Sequence, residues 1–120
     1  MLGVVFTGDS KLEIREFGDP SPGPGQVVVE MKSSGLCGSD LRPYRSSAEE
    51  LGPRADIITG HEPCGVVAEV GAGVRNVRAG DRVMVHHYSG CQRCEYCQTG
   101  WTQLCQSEYQ RVYGLSLIHI

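Results

Sequence analysis

Apolar residues in this chain fall in short, β-branched runs and not at the three-and-four spacing of an amphipathic helix. The runs "LGVVF" (2–6), "KLEIREF" (11–17), "QVVVEMKS" (26–33), "CGVVAEV" (64–70) and "RVMVH" (82–86) each predict a strand. Breakers stand between them: Gly8 with Asp9, the stretch "GDPSPGPG" (18–25), "GAG" (71–73) and "AGD" (79–81). Helical pattern is scarce. The segment "SDLRPYRSSAEEL" (39–51) carries some, with Ser39 and Asp40 in the N-cap style and Pro43 tolerable only in or near the first turn. No repeat recurs at a solenoid period, and the Pro/Gly stretch suits a rigid loop inside one domain better than a linker. The expected architecture is mostly β, a small twisted barrel or sandwich with long loops and little helix.

Composition narrows this picture. A length of 120 residues suffices for one domain and its core, and 40% hydrophobic with 21% charged residues is ordinary for a globular chain. A net charge of −3 gives no pull toward nucleic acid or an anionic membrane, so neither is an expected partner. No apolar run approaches the ~18 residues that span a bilayer, and "MLGVVFTGDSK" lacks the basic start and cleavage site of a secretory signal. The expected location is cytoplasmic. In that reducing compartment six cysteines favour metal or redox chemistry over disulfides.

Four of the six lie in "GCQRCEYCQTGWTQLC" (90–105). Cys91, Cys94, Cys97 and Cys105 follow the spacing C-x2-C-x2-C-x7-C, in which short gaps let a loop curl around one ion and the longer gap brings the chain back. A closed thiolate quartet fits a structural zinc and leaves no position for substrate; an iron–sulfur cluster or disulfides remain the alternatives. Trp101 is expected to pack beneath the loop. A zinc ribbon that reads nucleic acid is disfavoured by the acidic balance and the few basic residues nearby.

A second constellation is quieter. Cys37, His61 and Glu62 offer three donors of the types that leave a catalytic zinc one open position, and Asp40 is placed to accept the other ring N–H of a ligand imidazole. Taken singly, each has a plainer reading: Cys37 as a small buried hydrophobe, which is also the preferred reading of Cys64, and "HE" as incidental. The protease motif H-E-x-x-H fails, because Gly65 holds the second histidine position and Pro63 breaks the helix. Gly71-x-Gly73 after a strand begins like a dinucleotide-binding turn, but Asn76 holds the third glycine position and no helix opens there, so it is an ordinary turn.

In this order and spacing, "SSGLCGSDL" (33–41), "GHEPCGVVAEVGAGV" (60–74), "AGDRVMV" (79–85) and the quartet resemble the N-terminal, GroES-like catalytic domain of zinc-dependent medium-chain alcohol dehydrogenases. The resemblance implies a GroES-like twisted β-barrel over residues 1–116, a Rossmann domain absent from this chain, and in "LIHI" (117–120) a non-family tail that marks a truncation; His119 receives no role. It implies two zinc ions per chain. Cys37 and His61 bind the catalytic one with Glu62 as ligand or neighbour, and Cys91, Cys94, Cys97 and Cys105 bind the structural one. Ser39 matches the residue that receives the alcohol proton, and a small alcohol or polyol is oxidised to an aldehyde or ketone, the hydride passing to NAD or NADP. A complete enzyme of this kind is expected to be a homo-oligomer, and this piece alone to be inactive.

One departure sits beside Ser39. Where many relatives carry a relay histidine, this chain has Arg42, which stays protonated and cannot serve as a base. Arg42 and Tyr44 are left between a contact to substrate or cofactor phosphate and a solvated surface position. The alternative function is a zinc-stabilised β-barrel binding or scaffold module, in which His61 and Glu62 are ordinary polar residues.

Overall fold

The first two strands form a hairpin whose turn is fixed by local backbone chemistry. In the computed structural model, which describes residues 1–108 and 110–113, β1 (Leu2–Gly8) pairs antiparallel with β2 (Lys11–Glu16). Asp9 and Ser10 both take left-handed backbone, φ 54° and 59°, as a tight two-residue hairpin turn demands. Their N–H groups donate to Ser46 O at 2.8 Å and Tyr44 O at 3.0 Å, satisfying carbonyls at the end of a short helix. Ser116, "LIHI" and His119 lie outside the described residues.

The main sheet is β3 (Val27–Gly35), β4 (Glu62–Val70) and β5 (Arg82–Met84) in that order, all antiparallel. Along β4, Pro63, Gly65 and Val67 are buried in alternation, the period of a half-covered sheet. A third pair, β6 (Tyr88–Ser89) with β7 (Arg111–Val112), closes the base of the cysteine segment. The mostly β expectation holds: three antiparallel sheets, long loops and little helix. β3 and β4 run past their apolar patterns because the ladder continues to the pair Gly35 and Glu62. After Val70 the two-glycine stretch is a turn, as expected. Gly71 N donates to Gln26 O, and Ala72 O accepts from Gly25 N, each at 2.8 Å.

The segment 39–51 is a chain of short pieces: a 3-10 turn Gly38–Asp40, α1 (Leu41–Arg45), α2 (Ala48–Leu51), then a 3-10 turn Gly52–Asp56. Pro43 stands in the first turn of α1, where its missing N–H is harmless. Asp40 does not cap α1 by its side chain; its carboxylate turns back to Cys37 N and closes the start of the 3-10 turn. The working cap is Ser47, whose Oγ accepts from Glu50 N while Glu50 Oε2 accepts from Ser47 N.

Among the described residues the buried hydrophobic side chains include Val5, Phe6 and Leu51 where the helices meet β1, Val67 in the main sheet, and Cys105 in the cysteine segment. No helix among them is long and apolar enough to cross a membrane. Gly65 lies where β3 and β4 approach, and a methyl group there would run into the Glu30 carbonyl and the Val29 side chain. Gly65→Ala is therefore expected to lower stability by about 1–3 kcal/mol; an unchanged denaturant midpoint would show that the ladder can spread.

Candidate functional site

The register of the main sheet builds the first site. Because Gly35 pairs with Glu62, the residues that leave β3 and those that enter β4 emerge at one end of the ladder. Cys37 follows the first and His61 precedes the second. The approach to His61 is fixed by the edge of β1, where Val5 bridges Ile58 and Thr59 N donates to Val4 O at 2.8 Å. The donor atoms of Cys37, His61 and Glu62 all lie within 4.8 Å of one another.

Asp40 stands behind them. It is 2% exposed; Oδ2 accepts from Cys37 N at 2.8 Å and Oδ1 lies 3.2 Å from His61 Nδ1. That second contact is close but off the line of a hydrogen bond, so Oδ1 and Nδ1 are buried polar atoms without an aligned partner. Burial of this kind is tolerated only where a small rotation aligns the pair or a ligand does so. On its other side His61 presents Nε2 to Ser39 Oγ at 3.2 Å. One imidazole, one thiol and one carboxylate, with a second carboxylate 3.2 Å from His61 Nδ1, make a donor set that fits zinc.

One contact carries no sequence motif. The His87 ring packs edge-on to His61, centroids 5.2 Å apart, and burial, with His61 and His86 adding to it, holds its pKa below the ordinary histidine value. The sole sequence signal for His87 is its place between β5 and the quartet. Its neighbour His86 meets Thr102 Oγ1 at 3.2 Å, inside the cysteine segment.

The second site is the quartet, and the structure brings all four sulfurs within 4.8 Å of one another. Cys94 caps α3 (Glu95–Gln98), which carries Cys97, and Gln92 takes φ 63° to turn the chain between the first two cysteines. Cys94 N points at Cys91 Sγ (3.3 Å) and Cys91 N at Cys105 Sγ (3.5 Å). Tetrahedral zinc with bonds of about 2.3 Å wants sulfurs about 3.8 Å apart; Cys91 Sγ and Cys97 Sγ are 4.0 Å apart. A side chain at Gly90 would strike Cys97 Sγ, so only glycine lets the segment close. Trp101 does not pack beneath this loop. It is 57% exposed, because the fold there is held by sulfurs and backbone and offers no apolar bed. Cys64 is half-buried on β4 and belongs to neither cluster.

Cys91, Cys97 and Cys105 do not ionise alike. Backbone N–H groups of Arg93 and Cys94 hold Cys91 down at about 6, and those of Cys91 and Ser107 lower Cys105. Desolvation pushes Cys97 up to about 12, with the neighbouring thiols adding to it. At neutral pH Cys91 is therefore a thiolate while Cys97 keeps its proton. Zinc binds thiolates, so uptake must displace the Cys97 proton and is favoured as pH rises. Calorimetry in buffers of different ionisation enthalpy is expected to show at least one proton released per zinc at neutral pH, and none would contradict this geometry.

Residues 23–116 match the alcohol dehydrogenase GroES-like domain family. The chain is 40% identical over 120 residues to an uncharacterized zinc-type alcohol dehydrogenase-like protein of Escherichia coli K12, covering 95% of this chain and 34% of that one. It superposes with TM-score 0.81 and 34% identity on a cobalt- and zinc-bound thermostable alcohol dehydrogenase from Pyrobaculum aerophilum, spanning 100% of this chain and 36% of that one. An acetophenone reductase from Geotrichum candidum in complex with NAD gives TM-score 0.77 at 33% identity, over 96% of this chain and 34% of that one. The chain thus spans about a third of the length of the relatives it matches.

Proposed function

The chain belongs to the alcohol dehydrogenase GroES-like domain family, and on that premise we propose that it is the catalytic domain of a zinc-dependent NAD(P) alcohol or polyol dehydrogenase. The observation that carries the proposal is a three-donor cluster, backed by a buried carboxylate, beside a separate thiol quartet in one β-rich unit. Cys37, His61 and Glu62 would hold the catalytic ion, and Cys91, Cys94, Cys97 and Cys105 the structural one. Bound zinc supplies the Lewis acidity that makes an alcohol hydroxyl acidic at neutral pH, and NAD or NADP accepts the hydride.

The chain's own residues do the rest. Asp40 Oδ1, 3.2 Å from His61 Nδ1, would hold the ring proton on Nδ1 once a small rotation aligns the two, leaving the Nε2 lone pair for a metal. Ser39 Oγ, 3.2 Å from Nε2, is placed to take the proton given up by the substrate hydroxyl. Beyond Ser39 no relay base stands at position 42, because the Arg42 guanidinium remains protonated. The proton therefore leaves Ser39 by solvent, to which this serine is open. In a complete enzyme, a cytoplasmic homo-oligomer, NAD(P) would sit on the two thirds of the relatives' length that this chain does not span, and the chain alone binds metal without turnover.

Metal analysis tests the assignment. The purified chain is expected to hold two zinc ions, falling to one in Cys37→Ser and in His61→Ala with the quartet loaded. Unchanged metal content in both variants would remove the catalytic site and leave a zinc-stapled scaffold module.

A further inference from the structure

Beside Ser39 lies a cavity of about 510 Å3. Phe6, Leu51 and Ile57 give it an apolar floor; Ser39, Arg42 and Arg54 supply polar walls. Two carboxylates also line it, and both are engaged within the fold. Asp40 serves Cys37 N and faces His61, and Glu50 closes the cap at Ser47 N. Among the described residues neither Arg42 nor Arg54 has a carboxylate at ion-pair distance. Arg54 Nη2 donates to the Glu50 carbonyl at 3.2 Å, which orients the guanidinium without neutralising it. The lining thus carries two guanidiniums and two carboxylates; each carboxylate accepts from a backbone N–H of the fold, whereas neither guanidinium meets a carboxylate.

We propose that this cavity is an anion subsite for the substrate, taking the phosphate of a phosphorylated alcohol with Arg42 and Arg54 as its ligands. A guanidinium fork matches two phosphate oxygens at once, and two such groups suit a dianion where a single lysine-like point charge would not. The apolar floor accepts the carbon chain, and Ser39 at the cavity wall marks the direction of the reacting hydroxyl. The residue at the relay position thus exchanges a proton-transfer role for substrate recognition. The assignment to the substrate rests on Cys37, His61 and Glu62 as the reaction site; phosphate binding itself does not.

Amide chemical shifts of the zinc-loaded 120-residue chain, titrated in turn with inorganic phosphate, glycerol 3-phosphate and NADH, test the proposal. Inorganic phosphate and glycerol 3-phosphate are expected to give saturable shifts at Ser39, Arg42, Arg54 and Thr59. Arg42→Gln and Arg54→Gln should each weaken them about tenfold while leaving zinc content and the other resonances in place. Shifts that never saturate, or that ignore both substitutions, would overturn the subsite. NADH displacing glycerol 3-phosphate at lower concentration would give the cavity to the dinucleotide and overturn the substrate role. Cobalt titration of the same samples separates the two ideas: loss of the Cys37 and His61 site with phosphate shifts intact would remove the dehydrogenase reading alone.

Discussion

Replacing Cys97 with serine should abolish binding of one zinc ion and unfold the segment between β6 and β7, while the β3–β4–β5 sheet keeps its structure. The quartet fixes this size of effect because little else orders the segment: among its described residues the one buried side chain is Cys105, itself a donor, and Trp101 lies open to water. Zinc in such a closed thiolate site contributes on the order of 10–16 kcal/mol to ordering its peptide. A serine hydroxyl, which does not ionise near neutral pH, cannot restore the fourth thiolate. Zinc analysis with amide hydrogen exchange reads both halves of the expectation. Persistent protection in residues 91–105 of the variant, with no metal bound, would show that the loop folds on its own.

The second large effect is expected at Asp40. Asp40→Ala removes the acceptor for Cys37 N and the carboxylate facing His61 Nδ1, in a place where Asp40 and His61 are 2% and 5% exposed. Outer partners of metal-bound histidines typically carry a factor of 10–100 in affinity. Cobalt binding at the Cys37, His61 and Glu62 site should weaken by about that factor, while the quartet, far along the chain, binds as before. Asp40→Asn, which retains one oxygen for Cys37 N but cannot carry the charge, should fall between. Equal weakening at both sites in both variants would mean that Asp40 supports the fold and not the imidazole.

Much of this was legible in the residues. β1 to β4 announce themselves by β-branched runs between glycine and proline breakers, and the quartet by spacing alone, since its members are close in the chain. What stayed hidden depends on partners that a local pattern does not carry. The ends of β3 and β4 are set by each other's backbone, not by their own side chains. The Asp40 side chain does not cap α1 because one oxygen accepts from Cys37 N and the other faces His61. The same holds for His87, whose contact to His61 exists only once β5 lies against β4. Ser47 and Glu50 form the capping box in "SAEE", where the cap was expected at Ser39 and Asp40.

The pairing of Gly35 with Glu62 also separates the two donor sets in time. Sulfurs of the quartet are at most 14 residues apart, a short loop to close, so a metal ion can gather them while the rest of the chain is still unfolded. Ser39 and His61 are 22 residues apart, and the cluster they border has no existence until β3 and β4 have found their register. The first ion is thus able to act as a nucleus for folding, whereas the second reports that folding is complete.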